Sequence, residues 1–488
     1  MLTALLDSLI FFTVTTPLIS LLAHKVALQK LVSAYTSFGL AFTLLLLPIC
    51  YIEGFTQGKV TTILLSSSVL PIGACLEIDA LGLFMVLTFL VVSFVASVYS
   101  FGCIEESQGL AGYNTLLLAI VTGMVGVVLA GDLFTLFIFW EIMCVSSYAL
   151  VAFRKEEPAP VEAAYKYLIM SAAGTATLLF AMSLLYGLTG TLNIAYLSES
   201  LTQSEGTVLV YLALTMIIAG FGLQAGMVPL HMWLPDAYSA APSPISALIS
   251  GTTGKAAAYG LIRVLVFVFP AMHGAWGITL AVFAVLTMFT GNLMALLQDD
   301  VKRLLAFSTI ANMGYILLGL ATGSLRGLTG SIFHILNHAI VKSSLFLSAG
   351  SFIYRTKTQS LEELSGIGHS MPISSGLFVI GVIALTGIPP LNFFWSELTI
   401  VTASLDVGML LFSVLMILNL VISVAYCLRM IQIIFFKEIT LTSRKASEPP
   451  KIMLFATIIL VSLSIVIGLY PSPFQNIAGN AAEAALNH

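Results

Sequence analysis

His334, His338 and Lys342 recur every four residues in SIFHILNHAIVKSSLFL, residues 331–347, a stretch apolar enough to span a bilayer. At 3.6 residues per turn they share one helical face, about 6 Å apart along the axis. One bridging water closes such a gap, so imidazoles and an amine in this row can hand protons along. Three more titratable groups lie away from helix ends in apolar runs: Glu141 in FTLFIFWEIMCVSSYAL, Lys255 in ISGTTGKAAAYGLIR and Glu397 in PPLNFFWSELTI. A carboxylate in the setting of Glu141 needs a cation, dense hydrogen bonding or a bound proton. Lys255 sits among Gly and Ala, which leave room for close helices or water, and an amine there can take up and release protons. Ionisable side chains at bilayer depth are costly and mark ion or proton paths. The competing account is structural: a protein-buried seam for the histidine row, and ion pairing for assembly at Lys255, Glu397 and Glu141. Asp132 and Asp236 lie near span ends and read as capping residues, and Asp299, Asp300, Lys302 and Arg303 as a solvated inner loop.

The elements that must hold these groups are membrane helices. The chain has 488 residues, 59% hydrophobic and 9% charged, with a mean hydropathy of +1.04. Soluble domains carry about 25% charge. The apolar runs are continuous, not alternating ten-residue segments, which favours helices over a barrel. A net charge of −4 with no basic run gives no reason to expect nucleic acid as a partner. The five cysteines, Cys50, Cys75, Cys103, Cys144 and Cys427, have no metal-ligand spacing, so no metal or other cofactor is expected. The first 23 residues lack a basic start and a small-residue cleavage site and read as a retained helix.

The expected fold is an all-α polytopic membrane protein, one membrane domain of about fourteen transmembrane helices. The spans fall near 2–23, 31–52, 79–101, 113–131, 133–153, 163–188, 207–228, 244–269, 275–297, 303–322, 327–353, 372–404, 408–436 and 451–470. Residues 54–77 read as a short hairpin outside the membrane. Two spans carry helix breaks: the seventh at Gly226-Met227-Val228-Pro229, the twelfth at Gly387-Ile388-Pro389-Pro390. Proline removes a backbone donor and clashes with the preceding turn, so helices 7 and 12 should be discontinuous. Interrupted helices in corresponding positions of two halves point to an ion path. This gives two inverted five-helix repeats, 113–269 and 275–437, flanked by 1–112 and 450–488. Two unrelated proline kinks remain the alternative. Counting basic residues puts about fourteen on one side against Lys59, Arg326 and Arg263 on the other. The positive-inside rule then places both termini outside.

The segments WEIMCVSSYAL (140–150), GMVPLHMWLPDAYSAAPSPISALISGTTGKAAAYGLIR (226–263), DDVKRLLAFSTIANMGY (299–315), HILNHAIVKSSLFL (334–347) and GIPPLNFFWSE (387–397) resemble the proton-conducting antiporter-like family. That family includes the large pumping subunits of respiratory complex I, the Mrp sodium/proton antiporter A and D subunits, and a membrane-bound hydrogenase subunit. The resemblance implies fourteen helices with inverted repeats. It assigns Glu141 to the fifth-helix glutamate, Lys255 to the eighth-helix lysine, His338 to the eleventh-helix histidine and Glu397 to the twelfth-helix terminal carrier, with His334 and Lys342 as polar partners. Two positions depart from the pattern. Gln224 stands where the seventh-helix lysine is expected, and Asn312 where the tenth helix often has histidine. Gln224 cannot move a proton as a lysine does, which puts the first half in doubt.

The resemblance implies an ion-translocating, non-catalytic membrane subunit of a redox-driven complex, such as a membrane-bound hydrogenase or complex I relative. Its partners would be other membrane subunits, among them another antiporter-like or channel subunit, with protons as the ion and sodium left open. The alternatives are a D-type Mrp subunit and a non-pumping structural or coupling subunit. A carrier for an organic solute lacks any motif. The chain ends soon after the last span, an expectation against a long lateral helix extension.

Overall fold

The computed structural model describes residues 3–25, 30–55, 61–65, 73–104, 109–201 and 207–486. Lys59, counted above as an outer residue, and the hairpin tip at 66–72 lie outside the described residues. The chain opens with helices α1 (Ala4–Lys25) and α2 (Lys30–Phe55). Strands β1 (Thr61–Leu64) and β2 (Cys75–Ile78) follow as an antiparallel pair, with Thr61 opposite Ile78 and Leu64 opposite Cys75. That is the expected hairpin. Next come α3 (Ala80–Cys103), α4 (Leu110–Leu129), α5 (Leu133–Val151) and α6 (Pro158–Thr189). Asp79 and Asp132 cap α3 and α5, accepting from the backbone N–H of Gly82 and Thr135, which satisfies donors a helix start leaves open.

After the short α7 (Ile194–Leu201), α8 (Val208–Ala225) stops at Gly226. Gly226 has φ +76°, a left-handed conformation that glycine adopts without penalty. Turns carry the chain past Pro229 to α9 (Trp233–Ala240), α10 (Ser243–Leu248) and α11 (Gly254–Ile262). Between α10 and α11, residues Ile249–Thr253 form a π-helical turn, and a second one spans Arg263–Val268. The remaining elements are α12 (His273–Leu296), α13 (Val301–Ala321), α14 (Leu325–Thr356), α15 (Pro372–Leu385), α16 (Asn392–Asp406), α17 (Leu410–Ile431), α18 (Leu441–Lys445), α19 (Lys451–Leu469) and α20 (Ser472–Leu486). The break between α15 and α16 holds Gly387, Pro389 and Pro390, and the break between α8 and α9 holds Pro229. The sequence placed its two interruptions there.

Twelve helices among the described residues are long and apolar enough to cross a membrane, with the shorter apolar α15 beside them. Their packing is graded. The apolar stretches of α13 and α14 are wholly covered by the rest of the chain, whereas α1, α6 and α17 leave most of theirs outward. The grading follows from composition. α14 carries two histidines, a lysine and a row of serines, and polar groups facing lipid would lack partners, so this helix takes the centre. Apolar side chains such as Phe11, Leu18, Leu418 and Val421 are exposed on the outer helices, where hydrocarbon solvates them.

Candidate proton-relay site

Five of the six titratable residues singled out from sequence converge on α14 and its neighbours. Lys255, His334, His338 and Lys342 have no exposed surface, and Glu397 is buried too. The π turn before α11 is what aims Lys255. A π turn frees backbone groups from the regular ladder and recurs at functional sites. Here the Lys255 Nζ donates to the Ser250 carbonyl at 2.6 Å. Gly251 lets this turn lie against α14, since a Cβ there would collide with the Ser343 hydroxyl. The Ser250 and Thr309 hydroxyls, 3.0 Å apart, then link the turn to α13.

From there α13 and α14 run side by side as the two rails of a polar seam. Lys342 donates to the Ser308 hydroxyl and, at 3.5 Å, to the Leu305 carbonyl. One turn along α13, the Asn312 Nδ2 donates to the Ser308 carbonyl at 2.8 Å, and its Oδ1 lies 3.0 Å from His334 Nε2. On the other ring face of the seam, His334 Nδ1 lies 2.9 Å from the Ser396 hydroxyl, one residue before Glu397. His338 sits between Lys342 and His334 with neither ring nitrogen hydrogen-bonded within the described residues. The two imidazole centroids are 6.3 Å apart, a spacing that suits one bridging water. Glu397 closes the row at the α15–α16 break. Its carboxylate packs against Gly387, where any Cβ would strike Oε2, and φ is +66°. Buried polar side chains thus line the protein interior from Lys255 to the second break, with His338 and the Glu397 Oε1 unpartnered among the described residues.

Glu141 does not join it. Its helix turns Phe134, Ile138 and Val145 outward, and Glu141 is half-buried at the edge of that face. Its Oε1 has no hydrogen-bond partner within the described residues. Gln224 donates to the Tyr167 hydroxyl at 2.6 Å, and the Tyr167 ring stacks on Trp233 at 4.0 Å. The amide is therefore engaged with an aromatic pair.

Three readings of the sequence need correction. Lys302 is not solvated: it is buried and donates to the Ser239 and Ala241 carbonyls at 2.9 and 2.5 Å, the C-terminal end of α9. Lysine suits the negative end of a helix, and it ties the segment after the first break to α13. Asp236 is not a cap but an ion-pair bridge, 2.9 Å from Lys166 on α6 and 2.5 Å from Arg303 on α13. Burial opposes its ionisation, but Lys166 and Arg303 outweigh that and hold the carboxyl below the usual range. Arg263, counted above among the basic residues of the outer side, is buried and paired with Asp79 at 2.7 Å. Losing one partner of such a pair costs about 3–5 kcal/mol. Its Nε also donates to the Tyr259 hydroxyl at 2.5 Å, which donates to the Val128 carbonyl at 2.6 Å. The four-residue spacing of Lys255, Tyr259 and Arg263 was a signal for this second row.

Fold and seam together define an all-helical, multi-span integral membrane protein with a buried polar seam at its centre. The family described as NADH:quinone oxidoreductase/Mrp antiporter, TM, matches residues 130–423. The F(420)H(2) dehydrogenase subunit N of Methanosarcina mazei is 32% identical over 83% of this chain and 84% of its own length. The NADH-quinone oxidoreductase subunit N of Desulforudis audaxviator is 32% identical over 96% of this chain and 97% of its own. Among solved structures, a chain of the membrane-bound sulfane sulfur reductase, an archaeal respiratory membrane complex, superposes with a TM-score of 0.91 at 31% identity, covering 99% of this chain and 97% of that one. The chain belongs to the NADH:quinone oxidoreductase/Mrp antiporter membrane-subunit family. It is an antiporter-like, ion-translocating subunit of a multi-subunit membrane complex, of the kind found in respiratory chains.

Proposed function

We propose that this chain translocates protons through its second half, along Lys255, Lys342, His338, His334 and Glu397, driven by electron transfer in other subunits of a redox complex. The observation that carries the reading is the buried polar run from the Lys255–Ser250 contact to the Ser396 hydroxyl beside Glu397. Waters complete the gaps at His338. The chain crosses the membrane about fourteen times in two inverted repeats, and the paired breaks at Gly226 and Gly387 support that arrangement.

Both termini face outside on this reading, because basic residues gather in the opposite loops. Single cysteines placed in the 437–451 loop should react with a membrane-impermeant reagent only from the inner side of oriented vesicles. External labelling of that loop would overturn the orientation.

The first half works differently. Glu141 lies at the margin of the bundle without a lysine opposite it, and an unpaired charge in the interior costs several kcal/mol, on the order of 3–5, after relaxation. A basic side chain of a neighbouring membrane subunit is the partner that answers this, and the contact couples the two subunits. Glu141→Gln should then lower coupled proton translocation several-fold, about 3- to 10-fold, for the loss of one charge-assisted bond. Gln224→Lys should lower it too, by competing for the carboxylate. If Glu141→Gln is silent and Gln224→Lys raises translocation, the first half is a spacer with a degenerate channel.

A further inference from the structure

Ser396 has one proton to give and three polar neighbours, and the hydrogen-bond roles around it are determined except for one. Asn337 Nδ2 donates both to the Asn392 carbonyl at 3.0 Å and to the Ser396 hydroxyl at 3.1 Å. Its Oδ1 accepts from Asn392 Nδ2 at 3.2 Å, and the Asn392 Oδ1 accepts from Ser464 at 2.9 Å. Asn337 is therefore fixed as a donor, and Ser396 accepts from it. The two remaining neighbours of the hydroxyl are the Phe393 carbonyl at 3.0 Å, which can only accept, and His334 Nδ1 at 2.9 Å.

The other side of the imidazole is fixed as well. Asn312 gives its N–H to the Ser308 carbonyl, so it presents Oδ1 to His334 Nε2 at 3.0 Å, and Nε2 carries a proton at all times. Two states then keep both ring nitrogens hydrogen-bonded without moving a heavy atom. In the neutral state His334 has Nε2–H, and the Ser396 O–H points at the bare Nδ1. In the charged state His334 donates from both nitrogens, and the Ser396 O–H has rotated to the Phe393 carbonyl.

We propose that Ser396 is the hydrogen-bond switch that lets His334 take on and release a proton, and that Asn312 sets the tautomer on which the switch works. The inference rests on the proton path proposed above and adds two positioning residues to it. No bond between heavy atoms forms or breaks. Uptake moves the Ser396 O–H proton to Nδ1 while the hydroxyl oxygen takes a replacement proton from water, and the new O–H turns to the Phe393 carbonyl; release towards Glu397 runs the same exchange in reverse. His334 becomes the storage station of the row, and His338, which has no partner on either nitrogen among the described residues, a transit point. The titratable groups around the station are His338 and Lys342 on α14, Tyr315 on α13 with its ring 6.0 Å away, Lys255 on α11, and Glu397 on α16.

The test measures proton translocation in inverted vesicles from cells carrying the whole complex, energised with the electron donor that the purified complex oxidises. Ser396→Ala should reduce translocation about tenfold while donor oxidation and assembly persist, because each protonation state loses a bond to the ring. Ser396→Thr keeps the hydroxyl and should stay within about twofold of wild type. Wild-type translocation by Ser396→Ala, or equal losses in the Ala and Thr variants, overturns the switch. Should Ser396→Ala not assemble, Ser396→Cys carries the test. A thiol is a poor donor and acceptor, so wild-type translocation by that variant overturns the switch and a several-fold loss supports it. Glu397→Ala in the same vesicles separates the two proposals. Translocation lost in Glu397→Ala but kept in Ser396→Ala removes the switch alone, and translocation kept in both removes the path as well.

Discussion

Lys255→Ala should abolish most proton translocation and leave the complex assembled. The amine is the one ionisable group that the π turn at Ile249–Thr253 delivers into the seam, and its 2.6 Å bond to the Ser250 carbonyl places it one hydroxyl pair away from α13. Alanine leaves that carbonyl without its donor, at a cost of about 1–3 kcal/mol. The same loss applied to the barrier for proton passage is about 5- to 160-fold, at 1.36 kcal/mol per factor of ten. Against a folding stability of about 5–15 kcal/mol the deletion is survivable, so the complex should still be recovered intact on a native gel. Lys255→Arg should not restore passage, because a guanidinium keeps its proton. Wild-type translocation by the alanine variant would make Lys255 a structural residue.

Glu397→Ala should have an effect of similar size at the other end of the row. Its carboxylate lies at the α15–α16 break with Oε1 buried and unpartnered among the described residues, held against Gly387. Backbone groups released by a broken helix can solvate such a carboxyl, so the site can hold a proton and pass it on. Without it, His334 has nothing beyond Ser396 to release to, and translocation should fall at least about tenfold. Assembly should survive, because Glu397 contributes no ion pair among the described residues. Translocation at the wild-type rate by an assembled Glu397→Ala complex removes the terminal carrier from the account.

Much of this was legible because membrane helices make sequence spacing into geometry. The four-residue period of His334, His338 and Lys342 fixes one face, and in a helix covered on all sides by the chain that face has to meet another polar surface. The breaks at Gly226 and Gly387 were equally plain, since glycine followed by proline has few other uses inside an apolar run. What spacing alone could not give was the opposite rail. Ser308 and Asn312 look like ordinary helix residues, and no spacing says that Asn312, which stands where a histidine is often found, orients the His334 ring through its two bonds. Lys302 was misread for the opposite reason. Its run Asp299-Asp300-Val301-Lys302-Arg303 is polar enough for a loop, yet the amine folds under the end of α9, a tertiary contact that no local pattern encodes. Glu141 read as a proton-path candidate because depth in a span can be read from sequence but facing cannot: the few polar residues of α5 mark no single polar face.

The most direct test of the second-half path is the number of protons moved per turnover. It is measured in proteoliposomes of the purified complex carrying wild-type chain, Lys255→Ala or Glu397→Ala, with turnover and internal pH followed together. The account predicts that both variants lose the same share of protons per turnover, the share carried by this chain. An unchanged ratio in either assembled variant would contradict it.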